Sequence, residues 1–114
     1  RIGDQVLKIV GAKMKQMSRD VDTPARYGGE EFALLLLNAP LDAALRRADQ
    51  LREALASNYL RNKASGDSYG QITVSVGVAR FRAADTAESF VGRADTALYQ
   101  AKSDGRNRVV SQAA

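Results

Sequence analysis

The chain contains no cysteine and no histidine, only 2 prolines, and 6% aromatic residues. Without cysteine there is no disulfide, no thiolate nucleophile and no zinc–thiolate site, and without histidine no imidazole can serve as base or metal ligand. No apolar run is long enough to cross a bilayer, and no signal-like segment opens the chain. The segment is therefore expected to be soluble and cytoplasmic, with a membrane anchor elsewhere in a parent chain left open. Stacking platforms are lacking, and no contiguous stripe of Lys and Arg is present. Both absences count against a nucleic-acid-binding surface.

What is present sets further bounds. The 114 residues are 45% hydrophobic, enough for one real core, so residues 1–114 are read as a single domain. Lys and Arg number 17 against 13 Asp and Glu, for a net charge of +4. That balance suits an anionic partner, and nucleotide, nucleic acid and plain solubility all satisfy it.

Hydrophobic spacing predicts a mixed α/β order. Val6, Val10, Met14 and Met17 recur at helical intervals, which predicts an amphipathic helix over residues 4 to about 18 with both methionines in the core. Pro24 closes the next loop. Residues 25–27 and 31–37 are then the expected arms of a hairpin around Gly28-Gly29, since two-residue primed turns need positive φ and glycine carries no Cβ penalty there. The unbroken apolar run over residues 33–37 suggests a central strand covered on both faces. After Pro40 a helix is expected with Leu41, Leu45, Ala48, Leu51 and Leu55 inward, and with Arg46, Arg47 and Arg52 mostly off that stripe. Residues 62–70 read as a surface loop within a short edge hairpin. Ile72, Val74, Val76 and Val78 alternate with Thr73, Ser75 and Gly77, a strand with one core face and one small-residue face. Asp85 and Glu88 are expected to form a capping box for a helix that turns Phe90 or Val91, Ala94, Leu98 and Ala101 inward. Gly105 is expected just past its end, and residues 108–111 as a final strand.

The densest chemistry lies in Arg26-Tyr27-Gly28-Gly29-Glu30-Glu31-Phe32. The glycines remove bulk, so a phosphate or ribose can approach the backbone, and Glu30 and Glu31 stand beside that gap. Hard carboxylate oxygens suit Mg²⁺, which in turn suits nucleotide phosphates. A surface hairpin with merely solvated glutamates is the alternative reading of the same residues.

Gly28-Gly29-Glu30-Glu31-Phe32 resembles the GG(D/E)EF signature of diguanylate cyclase (GGDEF) domains, which condense two GTP into cyclic di-GMP. Four further segments match in order. Gly3-Asp4 with Val6-Leu7 resembles the end of the family's GHxxGDxVL segment, and residues 72–79 resemble its (V/I)T(V/I)S(I/V)G(V/I)A strand. Residues 94–102 with Gly105-Arg106-Asn107 resemble its ADxALYxAKxxGRN ending. Arg19 and Asp22 resemble its RxxD product-inhibition site.

The resemblance implies an α/β fold of the α+β sandwich kind, a central, mainly antiparallel sheet flanked by helices as in nucleotide cyclases and polymerase palms. It implies that Glu30 binds Mg²⁺, with Mn²⁺ as a substitute, beside the reacting groups, and that Glu31 is a supporting carboxylate or proton acceptor. Gly28 and Gly29 let the nucleotide lie against the turn. Asp4 accepts the guanine donor edge, although a carboxylate at a helix N-terminus is also favoured by the macrodipole. Lys102 and Arg106 hold the terminal phosphates of GTP, although cations at a helix C-terminus have a structural reason as well. Arg19 and Asp22 bind cyclic di-GMP, or else form a solvated pair in a loop. The implied reaction is attack of a ribose 3′-hydroxyl on the α-phosphate of a second GTP with loss of pyrophosphate. It requires two domains facing each other as a homodimer, under control of an upstream sensory module.

One departure stands out. The family's opening strand, with a DxDxFKxxND segment that carries a metal-binding aspartate and a guanine-contacting asparagine, has no counterpart in the sequence. The domain is accordingly expected to be incomplete at its N-terminus and inactive alone. Two rival readings are a non-catalytic cyclic di-GMP receptor and a small basic nucleic-acid-binding domain.

Overall fold

The computed structural model describes residues 3–26, 31–57, 59–61 and 68–112, the side chains of 26, 59–61 and 68–70 excepted. In chain order the elements are α1 (Asp4–Gln16), β1 (Thr23–Arg26), β2 (Phe32–Leu35), α2 (Leu41–Ala56), β3 (Tyr59–Arg61), β4 (Ser68–Gln71), β5 (Val76–Val78), α3 (Ala87–Ser103) and β6 (Val109–Ser111). Among the described residues the strands form three two-stranded ladders, β1–β2 and β3–β4 antiparallel and β5–β6 parallel. The expected α/β class with mainly antiparallel pairing is what the chain adopts.

Helix α1 buries Leu7, Val10 and Met14, a stripe at helical spacing that includes one residue, Leu7, outside the expected set. The helix ends at Gln16, before Ser18, because the Ser18 hydroxyl donates to the Met14 carbonyl at 2.7 Å and takes over a group the last turn leaves free. The core joins Val10, Leu55 and Ile72, with Val6, Ile9, Phe32, Leu51 and Val74 packed around them. One cluster thus gathers α1, α2, β2 and the segment leading into β5. Leu55 is fully buried on α2, and truncating such a leucine to alanine costs about 2–5 kcal/mol.

Two strand expectations need correction, the first being residues 72–78, of which only Val76–Val78 form strand, as β5. The β1–β2 register pairs Arg26 with Phe32 and Thr23 with Leu35, and the expected turn at Gly28-Gly29 lies outside the described residues. The second correction is that the β2 arm is covered on one face only, since burial alternates along Phe32–Leu35 and Leu35 and Leu37 are 45% and 47% exposed. Length and apolarity alone do not distinguish a strand buried on both faces from one whose second face is uncovered.

The small-residue face of β5 has a clear cause. Helix α3 packs on β5 and β6, and a Cβ at Gly77 would lie 2.3 Å from the Ala94 carbonyl oxygen and 2.3 Å from the Leu98 nitrogen. Strand and helix backbones meet there with no room for a methyl group. On the α3 side the buried residues are Ala97 and Ala101, small side chains that permit the same close approach. The start of α3 differs from expectation too. Thr86 accepts from the Ser89 N–H, and Ser89 Oγ accepts from the Thr86 N–H, so these two residues make the capping box. Asp85 instead accepts from the Arg82 N–H at 2.7 Å, the Ser89 hydroxyl at 2.8 Å and the Arg93 guanidinium.

Candidate functional site

An open groove of about 520 Å³ runs along the N-terminal half of α1 and is lined by Asp4, Leu7, Lys8, Gly11, Ala12 and Phe32. That size falls among small-molecule sites, roughly 300–1,000 Å³. Asp4 opens the helix after Gly3, which supplies no side-chain cap, so the carboxylate sits where the helix dipole favours negative charge. Asp4 thus stands at the helix N-terminus and also lines the groove. Phe32 opens β2 and closes one side of the groove, with exposed Glu31 immediately before it in sequence. Gly28, Gly29 and Glu30 lie outside the described residues. Gly11 shapes the wall, because a Cβ there would press on the Phe32 ring at 3.2 Å.

Lys102 and Arg106 flank the end of α3, and both are exposed. The backbone turns left-handed through Gly105 (φ 122°), Arg106 (φ 63°) and Asn107 (φ 47°). Glycine adopts this region freely, whereas each non-glycine residue there costs about 1–2 kcal/mol. The turn is fastened on three sides. The Arg106 N–H donates to the Ala101 carbonyl at 2.9 Å, the Asn107 N–H donates to Ser75 Oγ at 3.2 Å, and Arg52 Nη1 donates to Asn107 Oδ1 at 3.1 Å. The first of these bonds is the six-to-one closure of a Schellman motif, with Gly105 in the expected position past the helix. The effect is a guanidinium presented outward from a rigid turn.

Arg19 and Asp22 sit in the connection between α1 and β1 and meet directly. Arg19 Nη2 lies 2.7 Å from Asp22 Oδ1, Nε lies 3.1 Å from both carboxylate oxygens, and the Arg19 N–H donates to Oδ2 at 2.8 Å. The Asp22 side chain is fully buried. A second cation, Arg47 on α2, reaches Oδ2 at 3.3 Å and also donates to the Met17 carbonyl. Hydrogen bonding from the Arg19 side chain is the main reason the Asp22 carboxyl falls to about 2. The Arg19 N–H and the charges of Arg19 and Arg47 lower it further, against the opposing effect of desolvation.

The structure thus brings Asp4 and Phe32 to one groove with Glu31 adjoining, joins Arg19 to Asp22, and sets Lys102 and Arg106 about one helix end. Among the described residues no ion pair links Lys102 or Arg106 to Asp4 or Glu31. The carboxylates of Glu30 and Glu31 are the donor type a hard cation takes. Among the described residues, however, no group of three or more potential ligands gathers. No helix among them is long and apolar enough to cross a membrane. Spacing alone did not reveal that Lys8 and Gly11 line the groove or that Arg47 reaches Asp22. Gly11 carried a usable signal, because a glycine inside a helix costs about 1 kcal/mol and needs a packing reason.

Residues 1–108 match the family model described as "Diguanylate cyclase, GGDEF domain". The chain is 41% identical over 108 residues to diguanylate cyclase VdcA of Vibrio cholerae serotype O1, covering 95% of this chain and 32% of VdcA. It therefore spans about a third of that relative's length. Among solved structures, the GGDEF domain of DgcB from Caulobacter crescentus in complex with c-di-GMP superposes with a TM-score of 0.93 at 33% identity, covering 96% of this chain and 64% of that one. The active GGEEF domain of a diguanylate cyclase from Vibrio cholerae superposes with a TM-score of 0.85 at 28% identity, covering 97% and 69%.

Proposed function

Because this chain belongs to the diguanylate cyclase GGDEF-domain family, we propose that its parent protein condenses two GTP into cyclic di-GMP and releases pyrophosphate. The family match through residues 1–108 carries this reading, and the groove beside Asp4 supports it. Guanine presents N1–H and N2–H₂ donors that a carboxylate accepts and adenine lacks, so Asp4 selects the base at the groove. Gly28 and Gly29 admit the ribose and phosphates to the turn. Lys102 and Arg106 hold the terminal phosphates from their rigid corner. Glu30 is the residue assigned to Mg²⁺, or Mn²⁺ in its place, which offsets phosphate charge when bound, and Glu31 supports it.

The ribose 3′-hydroxyl of one GTP attacks the α-phosphate of the other. Each domain presents one nucleotide, so the active form is a two-fold homodimer, and an upstream sensory module is the natural control on that pairing. We place the domain in the cytoplasm. Arg19 and Asp22 form a product-binding site that feeds cyclic di-GMP back onto the enzyme. A non-catalytic receptor leaves the intact Gly28 to Phe32 motif without a role, and the nucleic-acid reading rests on net charge alone.

The test is product formation from GTP and Mg²⁺, read by chromatography. The parent protein is expected to make cyclic di-GMP, Glu30→Gln in it to make none, and residues 1–114 alone to make none. A parent protein that binds cyclic di-GMP yet leaves GTP intact would move the assignment to a receptor.

A further inference from the structure

The RxxD cluster contains a third residue that the motif does not name. Asp22 is closed to solvent, and its carboxylate is already engaged by Arg19 through both side chain and backbone. Arg19 is the outer member of the pair. Its side chain is 41% exposed, and Nη2 divides itself between Asp22 and the Leu37 carbonyl, 2.8 Å away. Arg47 is the inner member. Its side chain is 25% exposed and held on the Met17 carbonyl at the end of α1.

A phosphate or a guanine O6/N7 edge that engages the Arg19 guanidinium competes for the same N–H groups that now hold Asp22. Drawing Arg19 outward would strip a buried carboxylate of its main cation, and an uncompensated buried charge is strongly unfavourable. Asp22 cannot follow Arg19 into solvent, because its Oδ2 stays bonded to the Arg19 main-chain N–H and its own N–H donates to the Arg19 carbonyl at 3.0 Å. Only a second cation at hand keeps the carboxylate ionised and aimed.

We propose that Arg47 is a positioning residue of this site, which holds Asp22 in place when Arg19 turns to a ligand. The inference rests on the reading of Arg19 and Asp22 as a cyclic di-GMP site. Arg47 acts through Asp22 and makes no contact with the ligand. Arg19 exchanges an internal partner for the dinucleotide, while Arg47 remains with the carboxylate that reads the guanine donor edge.

Isothermal titration of the full chain with cyclic di-GMP tests it, using Arg19→Ala, Arg47→Ala, Arg47→Lys and Arg47→Ala in an Asp22→Asn background. Arg47→Ala is expected to weaken binding roughly tenfold or more, as removal of one member of a buried charge pair does. Arg47→Lys should restore most of the affinity, and Arg47→Ala should add no loss once Asp22 is Asn. The lysine variant and the Asn background keep the test decisive if Arg47→Ala folds poorly. Wild-type affinity in Arg47→Ala, or losses that add in the Asn background, would overturn the positioning role alone. Absence of wild-type binding, or wild-type affinity in Arg19→Ala, would instead overturn the product-site reading and this inference with it.

Discussion

At the groove, Asp4 and Glu31 stand exposed and, among the described residues, outside every ion pair. In the connection between α1 and β1, Asp22 is fully buried, held by two arginines and lowered to about 2. The difference separates a carboxylate available to a ligand from one built into the fold. An exposed carboxylate keeps its hydration until a base or cation replaces it. A buried one has already exchanged water for guanidinium, so a ligand there competes with the protein's own contacts. Any ligand contact at Asp4 should therefore be nearly independent of stability, whereas any ligand at Asp22 acts on a group that also joins the end of α1 to α2 through Arg47.

Variants can break or sharpen that contrast, and Gly77 sets the upper end of the scale. Gly77→Ala forces a methyl into the α3 backbone and should cost about 3 kcal/mol or more in urea denaturation, with both regions affected together. Asp22→Ala comes next: removal of the buried partner of two arginines should lower the melting temperature by roughly 5 °C or more. Asp4→Ala should move it by no more than about 2 °C while weakening GTP about tenfold through lost hydrogen bonds to guanine. Equal melting shifts for the two aspartates would erase the contrast.

A smaller effect lies in pH. Because the folded Asp22 carboxyl sits at about 2, below its ordinary 3.8, its stabilisation is complete above pH 5 or so and is lost as pH falls through about 4 toward 2. Asp85 is lowered as well, first by the Arg82 N–H, and acts with the same sign. The informative quantity is thus the gap in stability between wild type and Asp22→Asn, constant from about pH 7 to 5 and narrowing below about 4. A gap that widens in acid would reverse the assigned sign. At the bottom of the scale, Arg46→Ala removes an exposed pair to Asp42, and the melting curve should not change.

Much of the scaffold was legible in the residues. Apolar spacing located the three helices found among the described residues, and the inward residues Val10, Met14 and Leu55 are buried as expected. Helical periodicity records which side of a cylinder avoids water, and that side is set locally. Gly105 was legible for a similar reason, since a glycine after a periodic run has one common use. The uncovered face of β2 was not legible, because the sequence of an apolar strand does not say how many layers cover it. The Thr86–Ser89 cap was missed because Asp85 and Glu88 have the right side chains one residue out of place. Arg47 sits off the apolar stripe of α2, where sequence reading leaves an arginine to solvent, and only the return of the chain past Met17 gives it a buried partner.

For the site, the Gly28 to Phe32 signature, the Lys102 and Arg106 pair and the Arg19–Asp22 spacing can all be read along the chain. Sequence determines which charges exist, how far apart they lie and which local turn a glycine permits, because those properties depend on neighbours within a few bonds. Tertiary structure decided that Asp4 and Phe32 share a groove, that Gly77 touches the α3 backbone and that Asp22 is closed between two guanidiniums. Burial and pairing are set by residues far away in sequence, and the same aspartate letter stays open to solvent or becomes enclosed by cations according to what packs over it.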